Sequence, residues 1–230
     1  SKIIGLDIDE GSCIAAVLVK RVGGFLLTKA VSVLDPKELS KNSFFKNAQC
    51  MISLPAQAVL FRSFQLSAAF LNSKNRQKDI LSFLVRQNLP FKLEECFWDT
   101  FIVGTYLNFV AARVDVVNKL VAAIHLSGIS VSGVTASFIA LQNVLIFNYP
   151  LKAKDKFVIF NIRNSAAELV IYEAGRLWSY PLSIGKKDLQ DTPQAQEKFA
   201  QEIQRVFNAH YLQNAAAASS ASQLYLCGQE

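Results

Sequence analysis

Carboxylates crowd one short turn near the start of the chain. Asp7 closes an apolar run from Ile3 to Leu6. Asp9, Glu10, Gly11 and Ser12 then precede a second apolar run from Cys13 to Val19. Acid, glycine and serine side by side have the chemistry of a tight hairpin turn. The first run is apolar on both faces, which suits a central strand of a sheet. The pattern returns over Phe157–Tyr172: a shift of 154 residues lays Asp7 on Asn161, Ile8 on Ile162 and Val17 on Ile171. Each copy runs through a glycine turn, Gly23-Gly24 or Gly175, into a third strand. Two copies of one strand-hairpin unit predict two similar lobes with a cleft between them.

The other chemistry-bearing residues point to structure. His125 and His210 are the only histidines and lie far apart in helix-like stretches, which excludes a histidine-rich metal site and argues against a Ser-His-Asp triad. Cys13, Cys50, Cys96 and Cys227 form no C-x-x-C pair, and three of them sit in apolar, strand-like runs. They read as buried free thiols of a reducing compartment rather than as disulfides or a zinc site. Glu94-Glu95 reads as a solvated turn. Of the 230 residues, 51% are hydrophobic and 18% charged, which describes a well-packed globular chain of one or two domains. The net charge of +6 is dispersed, without a Lys or Arg run. That argues against nucleic acid as a partner and suits work near an anionic membrane leaflet.

The elements that must position these residues follow from periodicity and breakers. Three strands fill residues 3–34. Asp35-Pro36 breaks the sheet, 37–48 connect, and Cys50–Leu54 is a short strand stopped by Pro55. Ala58–Leu66 alternates as a half-buried strand. A helix is predicted over Lys74–Asn88, with Ile80, Leu81, Leu84 and Val85 on one face. Strands over Cys96–Leu107 and Phe109–Arg113 precede a helix over Val114–Ser127, with Val117, Leu120, Val121 and Ile124 on one face and Gly128 as its C-cap. Leu126–Leu151 carries no charge, but its glycines and polar residues divide it into a strand (129–136) and a helix from Ser137, short of the ~20 apolar residues a membrane span needs. With no signal peptide at its start, the chain reads as soluble. Residues 157–184 form the second three-stranded unit, Ala195–Tyr211 a helix, Ala215–Ser222 a low-complexity loop, and Leu224–Cys227 a final strand.

Two hairpins of this kind, one per lobe, resemble the phosphate-binding loops of the actin, sugar kinase and Hsp70 superfamily. Within it the chain is similar to PilM, the actin-like protein of type IV pilus assembly, and to the cytoplasmic domain of the type II secretion protein GspL. Leu89-Pro90-Phe91 followed by Leu93-Glu94-Glu95 resembles that family's "IPFPLEE". Val110-Ala111-Ala112-Arg113 resembles its "VAAR", and Ile184-Gly185-Lys186-Lys187-Asp188-Leu189 its "IGGNDL" turn. The resemblance implies an α/β fold, actin-like (ribonuclease H-like) and two-lobed, with an inserted α/β subdomain as in FtsA. Lobe one would comprise 1–55 and 129–150, the insertion 56–128, and lobe two 151–230 with its outer subdomain missing. The family continues beyond the position of Glu230, so the chain is expected to be truncated or a reduced relative.

Against the superfamily's "DIGSSSVK", Asp9 stands for the glycine and Ile14 for the lysine. Against "DIGASST", Asn161 replaces the metal-organising Asp and Arg163 the glycine. The resemblance thus implies a degenerate nucleotide site at Asp7, Asp9, Ser12, Asn161, Ser165 and Gly228, closed by Arg163 on Asp7 or Asp9. ATP is disfavoured, and neither a metal nor a catalytic residue is expected. The expected function is a non-enzymatic cytoplasmic scaffold, peripheral to the inner membrane at a pilus or type II secretion platform, that does not form filaments by itself. An active actin-like ATPase, or a GspL-like domain recruiting a secretion ATPase, is the alternative. The expected partner is the cytoplasmic tail of a PilN-like membrane protein, held between lobe one and the insertion by Phe83, Arg86, Gln87 and Phe91. Trp98 and Phe101, near Tyr106, are expected on an exposed face.

Overall fold

The computed structural model describes residues 2–9, 12–22, 24–41, 45, 49–67, 86–87, 89–149, 155–173, 175–189, 192–213 and 223–228. Phe83 with most of the helix expected over 74–88, the loop expected over 215–222, and Glu10 and Gly11 lie outside them. The chain forms two compact units. The first comprises Ser1–Leu60, Ser73–Asp99 and Phe109–Ala140, the second Phe61–Asn72, Thr100–Asn108 and Leu141–Glu230.

The first unit is built on a five-stranded sheet in the order β3-β2-β1-β4-β8. Its strands are β1 (Lys2–Asp9), β2 (Ser12–Arg21), β3 (Gly24–Val33), β4 (Gln49–Leu54) and β8 (Ser130–Ala136). β1 and β2 pair antiparallel from Lys2↔Val19 to Asp9↔Ser12, while β4 runs parallel to β1, with Asp7 opposite Ser53. Ile4, Leu6, Cys13, Ala15, Val17, Cys50 and Ile52 line one face. Helix α1 (Val114–His125) closes that face with Ile124, Leu120 and Val121, at the three- and four-residue spacings its sequence promised. Burying Ile124 alone is worth about 2 kcal/mol.

The second unit repeats the plan with four strands in the order β11-β10-β9-β12. These are β9 (Lys156–Ile162), β10 (Ala167–Glu173), β11 (Arg176–Leu182) and β12 (Gln223–Gly228), the last parallel to β9. Helix α3 (Pro193–Gln213) brings Phe199, Ile203, Val206 and Phe207 onto Val158, Phe160, Leu169 and Ile171.

A third sheet, β5-β7-β6, holds β5 (Val59–Gln65), β6 (Cys96–Val103) and β7 (Tyr106–Arg113). The sequence predicted one strand through Leu107. The chain instead turns at Gly104-Thr105, where Gly104 takes φ +59, a left-handed conformation that glycine adopts without a Cβ penalty. Asn108 therefore sits inside β7, fully buried, rather than between strands. Helix α2 (Ser137–Asn148) begins at the serine expected to start it. Among the described residues no helix is long and apolar enough to cross a membrane.

Candidate functional site

The first turn keeps its carboxylates in half-buried positions. Asp7 and Asp9 are two residues apart on β1 and so share the face opposite the Leu6 core side. Asp7 lies between Ile14 of β2 and Ser53 of β4, and Ser12 pairs with Asp9 across the turn. Cys13 and Cys50 lie in the core beneath. Burial, and secondarily the charge of Asp7, pushes the Cys13 thiol up to about 11. Burial, and secondarily Cys13, pushes Cys50 up to about 12. Both are inert, protonated thiols near neutral pH, and Cys96 is likewise buried and free.

The second turn has the same ladder and a different surrounding. Asn161 faces Glu168, which is Asp7↔Ile14 shifted by the same 154 residues on both strands. The Asp9↔Ser12 pair becomes Arg163 and Ala166, whose backbone N–H···O bond is 2.9 Å. Here the polar groups are buried: Asn161, Arg163 and Glu168 are 8%, 4% and 2% exposed. By strand alternation Asn161 and its partner Glu168 lie on the face away from Phe160. Ser179 donates to Glu168 Oε1 at 3.2 Å.

Two further segments close on this loop. The N–H groups of Lys186 and Lys187 donate to the carbonyls of Arg163 and Asn164 at 2.8 and 3.0 Å. Asp188 Oδ2 accepts from Gly185 N at 2.9 Å. A Cβ at Gly185 would stand 2.4 Å from Ala166 N and 2.5 Å from Asn164 O, so only glycine fits. Gly228 of β12 pairs with Ile162 of β9, and a Cβ on Gly228 would stand 2.7 Å from the Ile162 carbonyl oxygen. Asn161, Ser165 and Gly228 are thus brought together around the end of β9, as Asp7, Asp9 and Ser12 are around the end of β1.

Of the expected partner-binding residues, the described ones, Arg86, Gln87 and Phe91, are not among the described lining of an apolar cavity in the first unit. Arg86 and Gln87 are exposed on a helical turn and Phe91 is half-buried. The cavity, about 360 Å³, is walled by Leu54, Val59, Phe97, Trp98, Val117 and Val134, among others. Leu54, Ala112 and Val117 form its packed floor. Among its lining residues Phe97 and Trp98 are 53% and 40% exposed, with Trp98 tilted against Phe109 at 6.3 Å between ring centroids. Of these residues, the sequence singled out Trp98 alone. A second, more polar cavity of about 510 Å³ lies in the second unit between β5 (Phe61, Arg62, Ser63) and β11 (Arg176 to Tyr180).

This α/β architecture, with its duplicated hairpins, is the actin-like fold. Over 98% of its length the chain superposes on 81% of a chain of the PilM-PilN type IV pilus biogenesis complex, with TM-score 0.70 and 15% identity. It is also similar to the cytoplasmic domain of EpsL, an inner membrane component of the type II secretion system of Vibrio cholerae, with TM-score 0.56 and 10% identity over 78% of this chain and 71% of that one. A protein of actin-like ATPase fold and unknown function from Bacteroides thetaiotaomicron matches all of this chain and 82% of its own, with TM-score 0.51 and 11% identity. At such identities the likeness is one of fold. No protein-family model matches the sequence, and no curated protein matches it.

Proposed function

We propose that the chain is a non-enzymatic, actin-like docking scaffold at the cytoplasmic face of a bacterial inner-membrane platform for type IV pili or type II secretion. It holds an extended tail of a membrane-anchored, PilN-like partner in the apolar cavity of the first unit. The observation that carries this reading is that cavity: 360 Å³ falls within the ~300–1,000 Å³ of ligand pockets, and its lining includes the exposed aromatics Phe97 and Trp98. An extended peptide presents alternate side chains to such pockets.

The turns support the non-enzymatic half of the reading. Asp9 adds a carboxylate where a phosphate-binding turn needs bare backbone, and two unit charges ~4 Å apart repel by ~4 kcal/mol at an effective dielectric of 20. At the second turn Asn161 replaces the acid that would organise a metal. Arg163 is buried, and the Arg163 and Asn164 carbonyls already accept from Lys186 and Lys187. These residues do not fit ATP, and calorimetry with Mg-ATP should register no binding. A 1:1 isotherm of micromolar affinity would overturn this half.

The docking half is tested by fluorescence anisotropy with a labelled peptide copied from the N-terminal cytoplasmic tail of the host's PilN-like protein. Trp98→Ala should weaken binding about tenfold or more. Unchanged affinity in Trp98→Ala, with loss in Arg86→Glu or Phe91→Ala, would move the tail to the helical turn at Arg86-Gln87. The likeness to EpsL favours a second reading, in which a secretion ATPase is the partner. That reading gains if the tail peptide does not bind at all.

A further inference from the structure

β2 and β3 pair through Lys20↔Phe25 to Arg21↔Gly24 at the far end of their hairpin. That end is apolar and bare. Val22 is 107% exposed, Phe25 46%, Leu26 51% and Leu27 56%. Three consecutive exposed apolar residues on one strand point to both of its faces. A protein docking on one side would cover Phe25 and Leu27 or cover Leu26, but not all three.

A bulge at Val17/Leu18 separates this end from the core-packed part. Leu18 pairs with Leu27 and Val17 with Lys29, leaving Thr28 as the extra residue, its hydroxyl donating to the Val17 carbonyl at 3.1 Å. Bulges twist and bend the strand that carries them. The charge around the tip has one sign. Lys20 and Arg21 are exposed directly beside Phe25 and Gly24, and no acid occurs between Gly11 and Leu34.

We propose that this tip is a membrane-surface anchor, with Val22, Phe25, Leu26 and Leu27 entering the headgroup–acyl boundary of an anionic bilayer and Lys20 and Arg21 on the lipid phosphates. A bilayer is a medium that surrounds an inserted hairpin tip and so covers both faces at once. Apolar side chains ringed by cations match its layering of hydrocarbon under negative headgroups. This contact is independent of peptide docking in the cavity of the first unit.

The test is flotation of the whole chain with phosphatidylcholine vesicles and with vesicles holding 30 mol% phosphatidylglycerol, at low and high salt. Binding is expected to the anionic vesicles alone and to weaken with salt. Phe25→Ser with Leu26→Ser should abolish it, and Lys20→Gln with Arg21→Gln should reduce it about tenfold or more. The altered side chains are exposed, so thermal melting of these variants should match the parent, and Trp98→Ala should still float. A Phe25→Trp variant should show indole emission quenched by brominated lipid, which reads insertion directly. The proposal is overturned if the parent ignores anionic vesicles, if both double variants float as the parent does, or if the introduced tryptophan is not quenched.

Discussion

The two hairpins share a register to the residue and differ in what surrounds them. In the first unit Asp7 and Asp9 are half-buried, and the far end of the β2–β3 hairpin is apolar and exposed. In the second, Asn161, Arg163 and Glu168 are buried, and Gly185 and Gly228 press backbone against backbone. The outer end of that hairpin finishes at Glu173↔Arg176, with Glu173 bridged to Lys156. One local pattern can therefore hold its polar residues half-buried or fully buried. The neighbours that later chain segments bring to it make the difference.

Glycine substitutions should separate the two most sharply. Gly185→Ala drives a Cβ into the Asn164–Ala166 backbone, which cannot rotate away, and should cost about 3 kcal/mol or more in urea unfolding. Gly5→Ala meets nothing within 4 Å in the first sheet and should be neutral or gain up to about 1 kcal/mol. Similar losses at both positions would erase the distinction.

Next in size are the polar residues. Glu168→Leu removes a buried acid and its bond from Ser179, and should cost about 2 kcal/mol. Asp9→Asn, in the half-buried turn of the first unit, should stay within about 0.5 kcal/mol. Equal costs measured by denaturation would mean that the first turn is as locked as the second.

A smaller effect is set by pH. His210 is 1% exposed, bonded through Nδ1 to the Tyr180 hydroxyl at 2.9 Å, with Trp178 edge-on at 4.8 Å. Burial holds its pKa below the ordinary 6.5, against an upward pull from Glu173 and with a smaller downward push from Arg176. The unfolded chain therefore takes up the proton first as pH falls. This contribution to stability is intact above about pH 6.5 and declines below it, by up to ~1.4 kcal/mol per pH unit until the folded value is passed. His210→Leu should flatten that part of the stability–pH curve, and an unchanged slope would assign it to other groups. Smallest is Lys156→Gln, which opens the partly buried bridge to Glu173 and should cost about 1 kcal/mol, read as a small drop in the urea midpoint.

Much of the fold was legible because it is local. Apolar runs, turn residues and the three- and four-residue spacing of Val117, Leu120, Val121 and Ile124 each specify an element from within. The repeat could be read because strand pairing across a tight turn fixes register. The misplaced β6–β7 turn shows the limit. Gly104-Thr105 lies in a run rich enough in Phe, Ile, Val, Tyr and Leu to pass for continuous strand. The left-handed φ at Gly104 leaves no trace in composition.

The candidate site was legible only in outline. The amino-acid sequence by itself determined the two turns, their departures at Asp9, Asn161 and Arg163, and the apolar, acid-free hairpin from Gly11 to Leu34, because each is a property of adjacent residues. The tertiary structure alone decided that Arg163 is buried, that Gly185 must lack a side chain, and that Leu54, Val59, Trp98, Val117 and Val134 wall one cavity. Those facts arise where segments distant along the chain meet. A residue's own type does not say which distant backbone will stop within 3 Å of it.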